Sequence, residues 1–117
     1  MPILTVTVAP DLVEEVRSTS DELSEALLGL IRKHLAPAKG TEQIMFVPAF
    51  GVVTGCSMLA HLVHRASESR TSEVRNSCAQ AIADHLNATY GCSVRVRLIA
   101  TSSDDIAASD IFTEVSQ

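Results

Sequence analysis

Pro2 directly follows Met1. Methionine is ordinarily removed when so small a residue follows, and the new amino terminus is then a secondary amine. An ordinary α-amino group titrates near about 7.7–8.0, and a proline amine is intrinsically more basic. An apolar, partly desolvated setting or a nearby cation penalises its charged form and lowers that value. A general base works best with a pKa near the operating pH. A proline amine at the mouth of a strand is therefore a candidate proton shuttle. The alternative is a proline that only opens an edge strand, where its missing N–H costs little.

Other chemistry-bearing residues are more scattered. Arg95 and Arg97 alternate with apolar residues and share one strand face. They fit either a pocket at a subunit interface or a solvated face. His61 and His64 are three apart on a strand, so they point to opposite faces and make no metal pair. His34 and His85 fall near helix C-termini, where a partly charged imidazole is favourable. All four histidines read as structural. Cys56, Cys78 and Cys92 show no Cys-x-x-Cys spacing, and an odd number argues against a disulfide framework. Neither a Ser-His-Asp set nor a phosphate-binding glycine loop stands out. Asp104 and Asp105 lie in a polar stretch that reads as solvated. No metal and no cofactor is expected.

The elements that must position these residues form a doubled pattern. Residues 2–8 alternate and are β-branched, which predicts a strand ended by Pro10. Residues 11–17 are ambiguous between a loop and a helical turn. Thr19 and Glu22 have capping-box spacing. Leu23, Ala26, Leu27, Leu30, Ile31 and Leu35 then recur at helical spacing, and Pro37 and Gly40 stop that helix. Ile44–Val47 reads as a buried strand, and residues 48–55 as a turn-rich link. The second half repeats the order: a strand at 58–63, a polar loop at 66–71, a helical face of Val74, Cys78, Ile82 and Leu86, closure at Gly91, and a strand at 94–98.

The order β-α-β, link, β-α-β predicts an α/β (α+β) single domain over 1–117, with pseudo-repeat units at about 2–50 and 57–100. Each unit should make a right-handed parallel crossover. Together they predict a four-stranded mixed sheet with two helices on one face. The other face carries apolar residues and needs a partner, which argues for a homo-oligomer. A ferredoxin-like sheet has the same element order and is the rival arrangement.

Composition narrows the function classes. The chain has 117 residues, 46% hydrophobic but only 3% aromatic with no Trp, so the core is aliphatic and little is left to stack bases or sugars. Net charge is −5 and the nine basic residues form no block, against a nucleic-acid partner. No apolar run approaches the roughly 20 residues of a membrane span, and the start lacks signal-peptide character. Cysteine usage fits a reducing cytoplasm. A small anion remains open as a ligand, because one or two arginines suffice for a carboxylate.

Two stretches carry a resemblance. Met1-Pro2-Ile3 runs straight into a strand, and Glu68-Ser-Arg-Thr-Ser-Glu-Val74 lies where the second unit's loop becomes helix. With the doubled unit, these are similar to the tautomerase superfamily, which includes relatives of macrophage migration inhibitory factor, carboxymethyl-hydroxymuconate isomerases, 4-oxalocrotonate tautomerase and malonate semialdehyde decarboxylase. The resemblance covers about residues 2–100. It departs at the end, where the Asn-Gly-Ser-Thr-Phe segment of the migration-inhibitory-factor branch is absent and Ser109-Asp-Ile-Phe112 is a poor substitute. That branch's pocket aromatics also have no clear match.

The resemblance implies a homotrimer and a cofactor-free isomerase that moves a proton next to a carbonyl, with Pro2 as base. It also implies a carboxylate-bearing substrate. Arg70 matches the Ser-Arg-Thr element, Arg65 ends the strand expected beside Pro2, and Lys39 resembles a lysine after the first helix; these are the expected substrate-binding residues. For either arginine the alternative is a surface ion pair with Glu68 or Glu73, and for Lys39 plain solvation. Two other readings stay open. One is a decarboxylase, hydratase or dehalogenase on a three-carbon acid, using a protonated Pro2. The other is a non-catalytic oligomeric binding protein of the same fold.

Overall fold

The structure, a computed structural model, describes residues 1–113. Its strands are β1 (Ile3–Val8), β2 (Gln43–Pro48), β3 (Met58–Arg65) and β4 (Val94–Thr101). Its helices are α1 (Val13–Ser18), α2 (Ser20–Leu35) and α3 (Ser72–Tyr90), with short 3-10 turns at Pro10–Leu12 and Ser103–Asp105. The strand order is β2-β1-β3-β4. β1 pairs parallel with β2, antiparallel with β3, and β3 pairs parallel with β4. The two strands of each β-α-β unit are therefore neighbours. A ferredoxin-like sheet splits each unit with an intervening strand, so that arrangement is excluded.

Period-two alternation fixes which residues meet the helices. Leu4, Val6 and Val8 of β1 and Met58, Ala60 and Leu62 of β3 are buried against Leu23, Leu27, Ile31 and Leu35 of α2 and Cys78, Ile82 and Leu86 of α3. Each fully buried Leu, Ile or Met contributes about 1.5–3 kcal/mol relative to exposure. The other face is uncovered. The register aligns Gln43, Ile3, Val63 and Ile99 in one row and Met45, Thr5, His61 and Arg97 in the next. Met45, Val63 and Ile99 are 60%, 39% and 47% exposed, so this face keeps apolar surface in the isolated chain.

Three local expectations change. The ambiguous stretch after Pro10 is a 3-10 turn followed by α1. Thr19 does not form a capping box: it joins α1 to α2, and its hydroxyl bonds Glu15 O at 2.8 Å and Tyr90 Oη at 2.8 Å. A helix already precedes it, so its oxygen is drawn to those partners. And α2 ends at Ala36, in a left-handed conformation (φ 44°, ψ 56°), before Gly40 is reached. Pro37 cannot continue the helix and disfavours a right-handed α conformation in the residue before it. α3 begins as expected for its sequence, with Thr71 Oγ1 accepting from Val74 N at 3.2 Å, and ends at Gly91 with φ 62°.

Candidate functional site at the end of the central strands

The antiparallel pairing of β1 with β3 decides which residues can meet. Ile3 pairs with Val63, so the residues before Ile3 run alongside His64 and Arg65. α2 finishes and α3 starts at this same end of the sheet. The result is an open depression of ≈ 710 Å³ whose lining includes Met1, Thr41, Arg65, Ser69, Arg70 and Phe112.

Pro2 does not open an edge strand. β1 is hydrogen-bonded on both sides, the Pro2 ring is fully buried, and its carbonyl accepts from Gln43 N at 2.9 Å. With Met1 attached, the Pro2 nitrogen is an amide and the free amine lies one residue outward. That amine is held below the ordinary value of 8.0, first by burial, then by the guanidinium of Arg70 and that of Arg65.

Arg70 is set by the loop between β3 and α3. Ala66 N donates to Thr101 O at 2.9 Å and Arg70 N to Ser67 O at 3.2 Å. The Arg70 guanidinium then bridges two elements: Nε donates to Leu35 O at 3.1 Å and Nη1 to Arg65 O at 2.9 Å. Leu35 is the last residue of α2, where carbonyls lack helical partners and a cation is favourable. Nη2 is left for an anion. Arg65 is exposed, with no ion pair or side-chain hydrogen bond among the described residues. The ion pairs found among them join Arg17 to Glu14 and Arg32 to Glu42, so Glu68 and Glu73 claim neither arginine.

Lys39 is not brought to this depression. It lines a separate hollow with Arg32, Pro37 and Glu42, where the Glu42 carboxylate is held below its ordinary range chiefly by its hydrogen bond from Arg32 Nε at 2.6 Å. Arg95 and Arg97 lie on the opposite edge strand, beside Ala79 and Ala83 of α3. At the far end of β1 an apolar hollow of ≈ 260 Å³ is lined by Val8, Val13, Val16, Phe46 and Pro48. Its one cation, Arg17, is already paired with Glu14. That hollow offers contact area without a free charged group.

The structure adds residues that the sequence did not single out. His64 is 1% exposed, and its Nδ1 lies 3.0 Å from Arg65 O, the carbonyl that Arg70 also holds. A proton on Nδ1 makes that bond, leaving Nε2 bare, buried and without a partner among the described residues. Burial, then Arg70, Arg75 and the amino terminus, hold His64 below its ordinary 6.5 against the opposing pull of that bond, so the ring is neutral at pH 7. Arg75 donates from Nη2 to Leu98 O at 3.2 Å. Its position four residues after Thr71, on the first turns of α3, was the available signal. Ser103, Asp110 and Phe112 also reach the depression from the C-terminal segment. The apolar Ile111-Phe112 within a polar stretch was their trace in the sequence.

No metal-binding group of three or more His, Cys, Asp or Glu occurs among the described residues, and none of their helices is long and apolar enough to cross a membrane. Against family models the sequence finds no match, and no curated protein matches it. Solved structures do. One is a fused 4-OT, wild type, as a symmetric trimer: 17% identity, TM-score 0.71, covering 95% of this chain and 94% of that one. Another is a macrophage migration inhibitory factor-like protein from Entamoeba histolytica: 10% identity, TM-score 0.69, covering 92% and 95%. A third is a malonate semialdehyde decarboxylase inhibited by 3-bromopropiolate: 15% identity, TM-score 0.64, covering 92% and 89%. At such identities the likeness speaks for architecture, and the chain has the fold of the tautomerase superfamily.

Proposed function

We propose that the chain is a cofactor-free tautomerase or isomerase of a small 2-oxo or enol acid, with the Pro2 amine, freed by loss of Met1, as general base. The carrying observation is the position of the amino terminus: it shares one depression with Arg65 and Arg70, and burial and both cations lower the amine's pKa. Loss of Met1 would move the amine one residue inward, toward the buried Pro2 ring. A neutral amine there takes a proton from carbon next to the substrate carbonyl. The electron pair moves to oxygen, and the guanidinium groups stabilise the negative charge as it develops. The amine then returns the proton at another atom. Arg70 Nη2 and Arg65 are the groups proposed to hold the carboxylate and the enolate oxygen. Lys39, the third expected substrate contact, would need its loop to turn inward from its own hollow.

The uncovered sheet face, with its exposed Met45, Val63 and Ile99, supports a homotrimer like the fused 4-OT. Such an assembly would also bring further residues near the depression.

A second reading has support in the pair of arginines beside the amine and in the likeness to a decarboxylase structure. A protonated Pro2 would then assist decarboxylation, hydration or dehalogenation of a three-carbon acid. The experiment is intact mass, to establish loss of Met1, followed by enol-to-keto turnover of phenylenolpyruvate by wild type and Pro2→Ala. Proton-transfer catalysis typically contributes 10²–10⁴-fold, so a loss of about that size is expected. Full activity in Pro2→Ala sinks the mechanism. A Pro2 amine titrating well above about 8 would favour the second reading, because the acid form would then dominate at pH 7.

A further inference from the structure

The two halves of the chain enter their last pair of strands through the same tripeptide: Gly55-Cys56-Ser57 before β3 and Gly91-Cys92-Ser93 before β4. Both glycines have positive φ, 86° and 62°, so each turns the chain sharply into its strand. β3 and β4 are adjacent and parallel, and Met58 pairs with Val94. The ladder continues one step past that pair, with Ser57 N donating to Ser93 O at 2.9 Å. The next step outward sets Cys56 against Cys92.

We propose that Cys56 and Cys92 form a reversible disulfide that clamps the entry of β3 to the entry of β4. Neighbouring parallel strands run about 4.7–4.9 Å apart, inside the Cα separation of about 4.4–6.8 Å that a disulfide spans. Both thiols are free and partly accessible, whereas Cys78 is buried in the core. Cys92 titrates above its ordinary value, mainly through burial, with Glu15, Asp11 and Cys56 adding negative charge nearby. That mutual effect places the two sulfurs close together, and it makes Cys56 the first nucleophile. With a small disulfide such as oxidised glutathione as oxidant, the Cys56 thiolate attacks one sulfur and expels one glutathione thiolate. The Cys92 thiolate then attacks the Cys56 sulfur of the mixed disulfide and expels the second. Two protein thiols are oxidised, one glutathione disulfide is reduced, and the thiol protons leave on the two glutathiones.

The clamp lies at the end of β3 opposite Arg65. Nine residues of strand separate Cys56 from Arg65, about 30 Å at 3.3 Å per residue. It therefore acts on stability and leaves the depression unchanged. The test is incubation of the full chain with oxidised glutathione, followed by thiol counting, intact mass and peptide mapping with a protease that cleaves after Tyr90, which separates Cys92 from Cys78. The expected result is loss of two of the three thiols, a mass lower by about 2 Da for two hydrogens, a Cys56–Cys92 linked peptide, and a melting temperature raised in the oxidised form. Three retained thiols overturn the proposal. So do stable glutathione adducts without a linked peptide, or a disulfide between two chains.

Discussion

Arg65 and Arg70 face the same depression, yet their removal should have opposite signatures. Arg65→Ala takes away an exposed cation with no partner among the described residues, so stability should stay within about 0.5 kcal/mol. Arg70→Ala strips the partner from Leu35 O and from Arg65 O. Hydrogen bonds from a charged donor contribute about 1.5–3 kcal/mol each, and water reaches part of this loop, so a total loss of about 2–4 kcal/mol is expected. At roughly 2.1 cal/mol/K per residue over 117 residues, 1 kcal/mol corresponds to about 4 °C. Arg70→Ala should then melt about 8–16 °C below wild type, and Arg65→Ala within about 2 °C of it. Both should lose turnover. One charge-assisted bond to a carboxylate converts to about 10–150-fold in kcat/KM. The checks are thermal unfolding at matched concentration and steady-state kinetics on the same preparations. If Arg70→Ala melts with wild type, the bridge between α2 and β3 is not what holds Arg70. If Arg65→Ala keeps full kcat/KM, Arg65 does not touch substrate.

Ala36→Gly should raise stability by about 0.5–1 kcal/mol, because a left-handed conformation costs an L-residue about 1–2 kcal/mol and glycine's extra chain entropy returns part of that; a chemical-denaturation midpoint below wild type refutes this. The folded state keeps His64 neutral below pH 6.5 while the unfolded chain takes up a proton there, so stability should fall as pH drops below about 6.5. His64→Asn retains an amide donor for Arg65 O and should flatten that part of the pH profile, and an unchanged slope would show that another group causes it. Bound anionic substrate adds negative charge beside the amine and raises its pKa, so the acid limb of kcat should lie at higher pH than that of kcat/KM. Coincident limbs would mean that the charge is not carried next to the base.

Much of the fold was legible because its signals are local. Alternation in residues 2–8 and 94–98, the 3.6 period of Leu23, Leu27 and Ile31, and the stop at Gly91 depend on the residues themselves. What the sequence left open is set by pairing. Whether the strands of each unit are neighbours or split cannot be read from their alternation, and that choice decides that Pro2 lies on an inner strand beside His64. Arg70 was legible through a short motif, but its donation to Leu35 O joins residues 35 apart and has no local trace. Lys39 shows the converse: its place in the chain suggested a site residue, while the loop carries it to the hollow of Arg32 and Glu42. Thr19 had the spacing of a cap, and a tertiary partner, Tyr90, claims its hydroxyl.

The charge distribution gives the depression its purpose. The chain as a whole is acidic, at −5, yet the amino terminus, Arg65 and Arg70 converge at one end of the sheet, with Arg75 just beneath. Packing these groups together is unfavourable by itself, and the described residues supply no ion pair to offset it. Arginine cannot release its proton in this range, and His64 is already neutral, so relief can come in two ways. The amine can lose its proton, or an anion can bind. The first creates a base at neutral pH, and the second brings a carboxylate substrate beside it. Both responses follow from the same repulsion, which is why a site of this kind needs no metal to make a neutral amine and an anion-binding pocket coincide.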